Sequence, residues 1–281
     1  MSRKENIRPS VLAGRWYPAD PEQLAHSVDS YLQEPELPEL SGKLIGVVSP
    51  HAGHPYSGPV AGYAFSALAR EHPEIVVVLS PLHRPAEGAL LTTAHRAYQT
   101  PLGVIEVADE LLEQVSQGLK EQTGSGLTRI VHDSEHAVEI LLPFLQRSLR
   151  NPFRLLPIML RQQDPDLART LAAVLTESLI GKDAILIAST DLSHFYSAPE
   201  AEELDRSIIE RIIDLDPEGI YRLEEQGKGY ACGKGGLAAV IWAAKNLGAN
   251  QAVHLKYSHS GEITGDTSRV VGYEAAALLQ K

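Results

Sequence analysis

Two histidines follow short apolar runs that end in nearly the same way. Residues 47–51 read VVSPH and residues 78–83 read VLSPLH, so that His51 and His83 each come just after an aliphatic segment. A single loop histidine commonly bonds only to a neighbouring carbonyl. Two histidines after matching segments favour a functional site instead. Neutral imidazoles that face one crevice are a natural start to a transition-metal site. The pattern predicts that His51 and His83 lie side by side on adjacent strands.

The chain has one cysteine, which cannot form an internal disulfide. Cys232 lies in the segment 229–236 (GYACGKGG), just before an apolar stretch typical of a helix, where a thiolate is favoured. It is a metal ligand, a nucleophile or a small buried side chain. The segment is not a Walker motif, because Lys228 stands in place of the first glycine and Gly235 in place of the Ser or Thr that binds Mg²⁺.

A carboxylate and an imidazole, Asp191 and His194, lie three residues apart after a third apolar run. A turn there would place both side chains on one side, where they can act as acid and base, as metal ligands or as a pair that orients a substrate. The alternative reading makes Asp191 a helix N-cap and His194 a solvated side chain.

Further candidates are weaker. Glu135 and His136 begin a helix with an apolar face, and Glu135 is expected to interact with the helix dipole. His136 either reaches the crevice or packs against the core, and His54 is a candidate for contact with a ligand residue. Trp16 and its neighbours are expected to be aromatic packing without chemistry.

The elements that must position these residues are short strands alternating with helices. The runs 44–48, 75–79 and 184–188 are continuous aliphatic segments, which is typical of parallel strands covered on both faces. Ligands bind beyond the carboxyl ends of such strands, and each of the three runs delivers a histidine to such an end. The other predicted elements are helices at 21–32, 59–70, 134–149, 165–179, 201–213 and 236–247, and strands at 88–93, 103–107, 153–159, 252–258 and 268–275. The fold class is therefore α/β, with a central, mostly parallel or mixed sheet flanked by helices.

Composition limits the classes of function. The 281 residues are 43% hydrophobic and 22% charged, which is ordinary for a globular protein, and we expect one domain over residues 1–281. The net charge of −11 argues against binding to nucleic acid or anionic membranes, since either needs a basic face. We expect a cytosolic protein, because no apolar run reaches about 18 residues and the start, MSRKENIRPS, lacks the apolar core of a signal peptide.

Several separated motifs resemble the MEMO-like family, which is related to the class III extradiol ring-cleaving dioxygenases. The matching segments run in order from about residue 8 to residue 278: 13–18 (AGRWYP), 50–58 (PHAGHPYSG), 80–83 (SPLH), 133–136 (DSEH) with 142–144 (LPF), 189–194 (STDLSH), 231–233 (ACG), and 265–268 (GDTS) with 271–273 (VGY).

The resemblance implies one α/β domain with a metal pocket. The family's ligands match His51, His83 and Cys232, with iron as the expected metal and copper or zinc as alternatives. Asp191 and His194 match neighbours of that pocket, and His136 is implied to line it, which makes these three the candidate catalytic residues. Relatives are commonly encoded beside a radical-SAM protein and an AMMECR-type protein, which are the implied partners. Residues 233–236 (GKGG) replace the more apolar turn usual in the family.

Two functions follow from this reading. One is a metal-dependent oxidoreductase, similar to a dioxygenase, acting on a small molecule, in which Asp191, His194 and His136 handle protons. The other is a metal- or peptide-binding partner protein that keeps the pocket without turnover. A hydrolase that uses Cys232 as nucleophile and His194 as base is a third option. The fold does not separate them, because one fold serves many functions.

Overall fold

The computed structural model describes residues 6–281 of the chain. Its strands are β1 (Ile7–Arg8), β2 (Lys43–Ser49), β3 (Ile75–Pro81), β4 (Leu90–Thr93), β5 (Ala97–Thr100), β6 (Gly103–Glu106), β7 (Thr128–Ile130), β8 (Arg154–Leu160), β9 (Ala184–Ser189), β10 (His194–Tyr196), β11 (Gln251–His259) and β12 (Val270–Gln280). Its helices are α1 (Pro21–Gln33), α2 (His54–Ala67), α3 (Asp109–Thr123), α4 (His136–Glu139), α5 (Leu142–Ser148), α6 (Pro165–Leu179), α7 (Ala198–Ile213), α8 (Pro217–Glu225), α9 (Lys234–Asn246) and α10 (Ser260–Thr264).

A nine-stranded mixed sheet organises the fold. Its strand order is β10-β12-β2-β9-β3-β8-β4-β7, with β11 paired to β12. The central strands β2, β9, β3 and β8 are parallel and almost wholly buried, which is why their sequences are continuous aliphatic runs. The strands β10, β11 and β12 pair antiparallel at one side. The predicted α/β class with a mixed central sheet is confirmed.

The strands that carry His51 and His83 are not neighbours, and that part of the prediction is wrong. β9 lies between β2 and β3, with Ser49 opposite Ser189 and Leu79 opposite Ala188. Strand order depends on how the connecting helices pack, which similarity between two end sequences does not encode. The third predicted strand therefore runs between the other two, and all three deliver their loops to one edge of the sheet.

The helices cover the sheet in two layers. α1, α2 and α5 pack against one another, with α2 on β2, β11 and β12. α9 packs on β2, β3, β8 and β9, and it contacts α6 and α8. None of the helices within residues 6–281 is long and apolar enough to span a membrane.

Helix bounds agree with the prediction where caps are clear and differ at prolines. The helix predicted at 165–179 is confirmed as α6, which begins after Asp164, whose side chain accepts the Leu167 N–H. The single helix predicted at 134–149 is instead α4 and α5, and Pro143 lies in the first turn of α5, because proline has no N–H to continue a preceding helix. The helix predicted to begin at residue 59 begins at His54 and accommodates Pro59. α3 and α8 were not predicted.

Candidate metal centre

Three histidines meet at the carboxyl edge of the sheet. His51 follows β2, His83 follows β3 and His136 is the first residue of α4. One ligand atom from each lies within 4.8 Å of those of the other two. The ring centroids of His83 and His136 are 4.4 Å apart, and those of His51 are 5.3 Å from His83 and 5.4 Å from His136. The third imidazole, that of His136, thus comes from helix α4, which lies between β7 and β8 and not in the loops after β2 and β3.

A serine on β9 fixes the orientation of His51. Ser189 Oγ lies 2.7 Å from the carbonyl of Ala137, to which it donates, and 2.9 Å from Nδ1 of His51. A hydroxyl has one proton, so Ser189 must accept the second hydrogen bond from His51 Nδ1–H. Nε2 of His51 is therefore the unprotonated nitrogen, which can bind a metal and lies 3.2 Å from Cys232 Sγ.

One carboxylate holds both other imidazoles. Glu135 Oε1 lies 2.9 Å from Nδ1 of His83 and 3.0 Å from Nδ1 of His136. The same oxygen accepts the backbone N–H groups of His136 and Ala137 at 2.8 and 3.0 Å. An ionised carboxylate only accepts hydrogen bonds, so in neutral His83 the proton lies on Nδ1 and Nε2 is the free donor, and the 3.0 Å contact favours the same tautomer for His136. The sequence identified Glu135 only as a dipole partner; its position at the N-cap of α4 agrees with that, and its contact with His83 was missed.

Electrostatics at the site favour a neutral His51 and an ionised Glu135. Burial, together with the proximity of His136 and His83, lowers the pKa of His51 well below its usual range. Burial alone would raise the pKa of Glu135, but hydrogen bonds from His136 and His83 outweigh it and hold that pKa well below its usual range. At neutral pH His51 therefore offers an uncharged nitrogen donor, and Glu135 supplies a negative charge beside the cluster.

Cys232 lies beside His51 rather than among all three histidines. Its Sγ is 3.2 Å from His51 Nε2 and accepts the Asp191 N–H at 3.2 Å. Burial, and then the charge of Asp191, raise the pKa of the Cys232 thiol, so the start of α9 does not make it a thiolate in the metal-free protein. Cys232 is not a member of the three-histidine group found among residues 6–281. The ligand set of His51, His83 and Cys232 stays a prediction.

Asp191 and His194 both line the cavity at the histidine cluster. Asp191 Oδ1 accepts the backbone N–H of His51 at 2.7 Å, and its Oδ2 is 4.0 Å from His51 Nε2. Burial raises the pKa of Asp191. His194 Nδ1 donates to the carbonyl of Leu192 at 2.8 Å, which leaves its Nε2 as a free acceptor. Neither residue caps a helix, so both remain candidates to hold or move a proton.

The cavity has a volume of about 510 Å³ and an aromatic wall. Trp16, which we had assigned no chemistry, lines it and packs on His136 with ring centroids 4.6 Å apart. Tyr56 and Tyr273 also line it, as does Arg15. His54 is instead in the core, where its Nε2 bonds to the carbonyl of Ile140, and it is not a lining residue.

The residues present fit a transition-metal ion. Two imidazole nitrogens bound to one tetrahedral ion at about 2.1 Å lie roughly 3.4 Å apart, which requires the ligand atoms to approach by about 1.4 Å at most from the observed 4.8 Å limit. Imidazole suits iron, copper and zinc alike. Metal-binding histidines almost always bond through the other ring nitrogen to a carboxylate, carbonyl or water, and Glu135 supplies such a partner twice.

Comparisons with known proteins identify the family of this chain. The chain is 33% identical to a MEMO1 family protein from Nitrosopumilus maritimus over 97% of this chain and 100% of that protein. It is 37% identical to a MEMO1 family protein from Methanopyrus kandleri over 95% and 97% of the two chains. Its structure is similar to that of an uncharacterized protein from Escherichia coli K12, with a TM-score of 0.47 and 14% identity over 83% of this chain and 99% of that one. Residues 8–277 match the family model described as Memo-like protein, and the chain belongs to that family.

Proposed function

We propose that this protein binds one first-row transition-metal ion through His51, His83 and a third donor, and that it uses the ion in a redox reaction on a small molecule. Iron is the first candidate, and copper or zinc are the alternatives, because imidazole donors accept all three. The observation that carries the proposal is a shared orientation: each of the three clustered imidazoles has Nδ1 within 3.0 Å of a side-chain oxygen of the protein, which leaves Nε2 as the donor.

The third donor is either His136 or Cys232. His136 belongs to the group whose ligand atoms lie within 4.8 Å, and its ring is already oriented by Glu135. Cys232 Sγ lies 3.2 Å from His51 Nε2, a separation similar to that of two donors on one ion. We favour His136 as the third donor, because its ring needs the least rearrangement to bind the ion. Cys232 would then add a softer fourth donor.

The chain's own residues supply the remaining chemistry. A bound metal would provide Lewis-acid or redox chemistry at the floor of the cavity. His194 presents a free Nε2 that can accept a proton from a bound molecule, and Asp191 holds the backbone at His51. The aromatic wall at Trp16 and Tyr56 excludes water from one side of the ligand.

Metal titration of stripped protein tests the proposal. Fe(II) under anaerobic conditions, Cu(I) and Zn(II) are each added to wild type and to the variants His51→Ala, His83→Ala, His136→Ala and Cys232→Ser. His26→Ala is the control, since this histidine is exposed on α1. Wild type and the control should bind one ion, and the first three variants should lose at least about 100-fold in affinity. Equal binding by all variants would show that the site is elsewhere or absent.

The same titration identifies the third donor. If His136 is the donor, His136→Ala loses binding and Cys232→Ser keeps most of it, with a shift in selectivity away from Cu(I) because the soft donor is gone. The opposite pattern would show that the thiol is the third ligand and that the histidine only lines the cavity.

A further inference from the structure

We infer that Glu135 is a positioning residue that fixes the tautomer and orientation of His83 and His136 together. The inference rests on the proposed function for its effect on metal binding. The contacts that carry it, a hydrogen bond to His83 and a 3.0 Å contact with His136, are present without any metal.

The geometry joins two separate segments at one oxygen. Glu135 Oε1 contacts the Nδ1 atoms of both rings, and Oε2 accepts the backbone N–H of His83. His83 belongs to the loop after β3 and His136 to α4, so the carboxylate ties a strand end to a helix start. Its side chain is 1% exposed, and it is therefore shielded from competition with water.

The tautomer decides whether the two rings can bind a metal. A neutral imidazole has one proton, and a ring that is protonated on Nε2 has no lone pair there for a metal. The carboxylate can only accept, so it holds both protons on Nδ1 at the same time.

A role as helix cap alone makes a different prediction. Glu135 accepts two N–H groups at the start of α4, and the carbonyl oxygen of glutamine can accept the same bonds. With its carbonyl oxygen in the Oε1 position, however, glutamine places its NH₂ group against the backbone N–H of His83, which Oε2 accepts in the wild type, and two donors then face each other. Glu135→Gln therefore keeps the cap but displaces the loop of His83, so that the His83 ring loses its Nδ1 acceptor and takes the other tautomer or another rotamer.

Nitrogen NMR of the metal-free protein tests the inference directly. Imidazole ¹⁵N shifts report which ring nitrogen is protonated, and they are measured above the pH at which the rings titrate, for wild type, Glu135→Gln and Glu135→Asp. Glu110→Gln, on the exposed face of α3, is the control. Wild type and the control should show His83 and His136 protonated on Nδ1. Glu135→Gln should show at least one of them protonated on Nε2.

Zinc affinity of the same proteins is the second measurement. Loss of a hydrogen-bond partner of a metal-binding histidine commonly lowers metal affinity by about 10- to 100-fold, and we expect that range for Glu135→Gln. Glu135→Asp keeps the charge but is too short to reach both rings, so we expect an intermediate loss. Unchanged tautomers in Glu135→Gln would overturn the inference.

The two measurements separate failure of the inference from failure of the proposed function. A wild type that binds no metal overturns the proposed function, while the NMR result still decides the role of Glu135. If Glu135→Gln does not fold, the wild-type spectrum and Glu135→Asp take its place: Nε2 protonation of either ring in wild type, or two Nδ1-protonated rings in the shorter variant, overturns the inference.

Discussion

At the scale of single residues, the orientation of each imidazole is set by a partner outside the cluster. Ser189 holds His51, Glu135 holds His83 and His136, and the carbonyl of Leu192 holds His194. In all four rings Nδ1 is the atom that contacts this partner, so Nε2 is the atom available to a ligand, and the Nε2 of His51 also contacts Cys232 Sγ. This common tautomer makes the partners as important for function as the histidines themselves.

The first prediction concerns Ser189. Ser189→Ala removes the acceptor of His51 Nδ1–H, so His51 is no longer held in the tautomer that binds a metal, and affinity for Zn(II) should fall by about 10- to 100-fold. Ser49→Ala is the matched control, because Ser49 pairs with Ser189 across the strands but its hydroxyl bonds only to the neighbouring carbonyl of Pro50. Equal affinity of the two variants in the titration would contradict the role given to Ser189.

The second prediction is that the protein cleaves catechols poorly. Extradiol cleavage depends on Fe(II) held by two histidines and a carboxylate. Here the clustered donors are imidazoles with a thiol beside them, and the carboxylate of Asp191 already accepts the His51 N–H. After anaerobic reconstitution with Fe(II), oxygen uptake on a panel of catechols should stay below about 1 per second. Turnover within the typical enzyme range of about 1 to 1,000 per second would show the donor argument to be wrong.

At the scale of secondary-structure elements, β12 supports the site from its outer side. Its residue Glu274 is wholly buried, and Oε1 accepts a hydrogen bond from His254 on β11 at 2.8 Å. Burial raises the pKa of Glu274 to about 7, although the bond from His254 acts against this. The hydrogen bond with Glu274 in turn raises the pKa of His254. The pairing of these two strands is therefore sensitive to pH.

The third prediction gives the sign of that sensitivity. A carboxyl whose folded pKa is raised favours the folded state below its unfolded pKa, near 4.5, and this stability is lost as pH rises through the folded pKa of about 7. The raised pKa of His254 acts in the same direction. The measurement is urea unfolding of the metal-free protein at pH 4.5 and at pH 8. Between these two values the free energy of unfolding of the wild type should fall by up to about 3 kcal/mol relative to that of Glu274→Gln.

The control for this experiment is Glu262→Gln, which removes an exposed carboxylate close in sequence to β11. That variant should follow the wild-type pH profile. A constant difference between wild type and Glu274→Gln across the pH range would contradict the raised pKa.

At the scale of the whole molecule, a buried ion network joins the amino-terminal segment to the site. Arg8 is fully buried; its Nε lies 2.7 Å from Asp133, and its guanidinium also contacts Glu139. Glu139 further accepts the Tyr17 hydroxyl at 2.7 Å. Since Glu139 ends α4 and Tyr17 follows the Trp16 of the cavity wall, the network fixes α4 and the wall relative to each other.

The fourth prediction tests this network. Arg8→Met leaves two buried carboxylates without their cation, and loss of one partner of a buried ion pair costs about 3–5 kcal/mol of the free energy of unfolding. Arg150→Met, at an exposed position, is the control and should change stability little. Urea unfolding of both variants without metal measures the effect. Stability equal to wild type would mean that the network contributes little.

The sequence by itself determined the strands and the residues at their ends. Continuous aliphatic runs form buried parallel strands because both faces lose contact with water, and polar loops must follow them where the chain leaves the sheet. That local pattern was sufficient to place His51, His83, Asp191 and His194 at the same edge. The separated motifs also identified the family, which residues 8–277 confirm.

Only the tertiary structure decided which of these groups contact one another. β9 lies between the strands of His51 and His83, and α4 brings His136 to both rings, although no periodic pattern links these segments. Glu135 looked like an ordinary helix-start acid, since the contact that gives it a role spans 52 residues. Such contacts depend on strand order and on the packing of short helices, which arise from the whole core and not from local propensity.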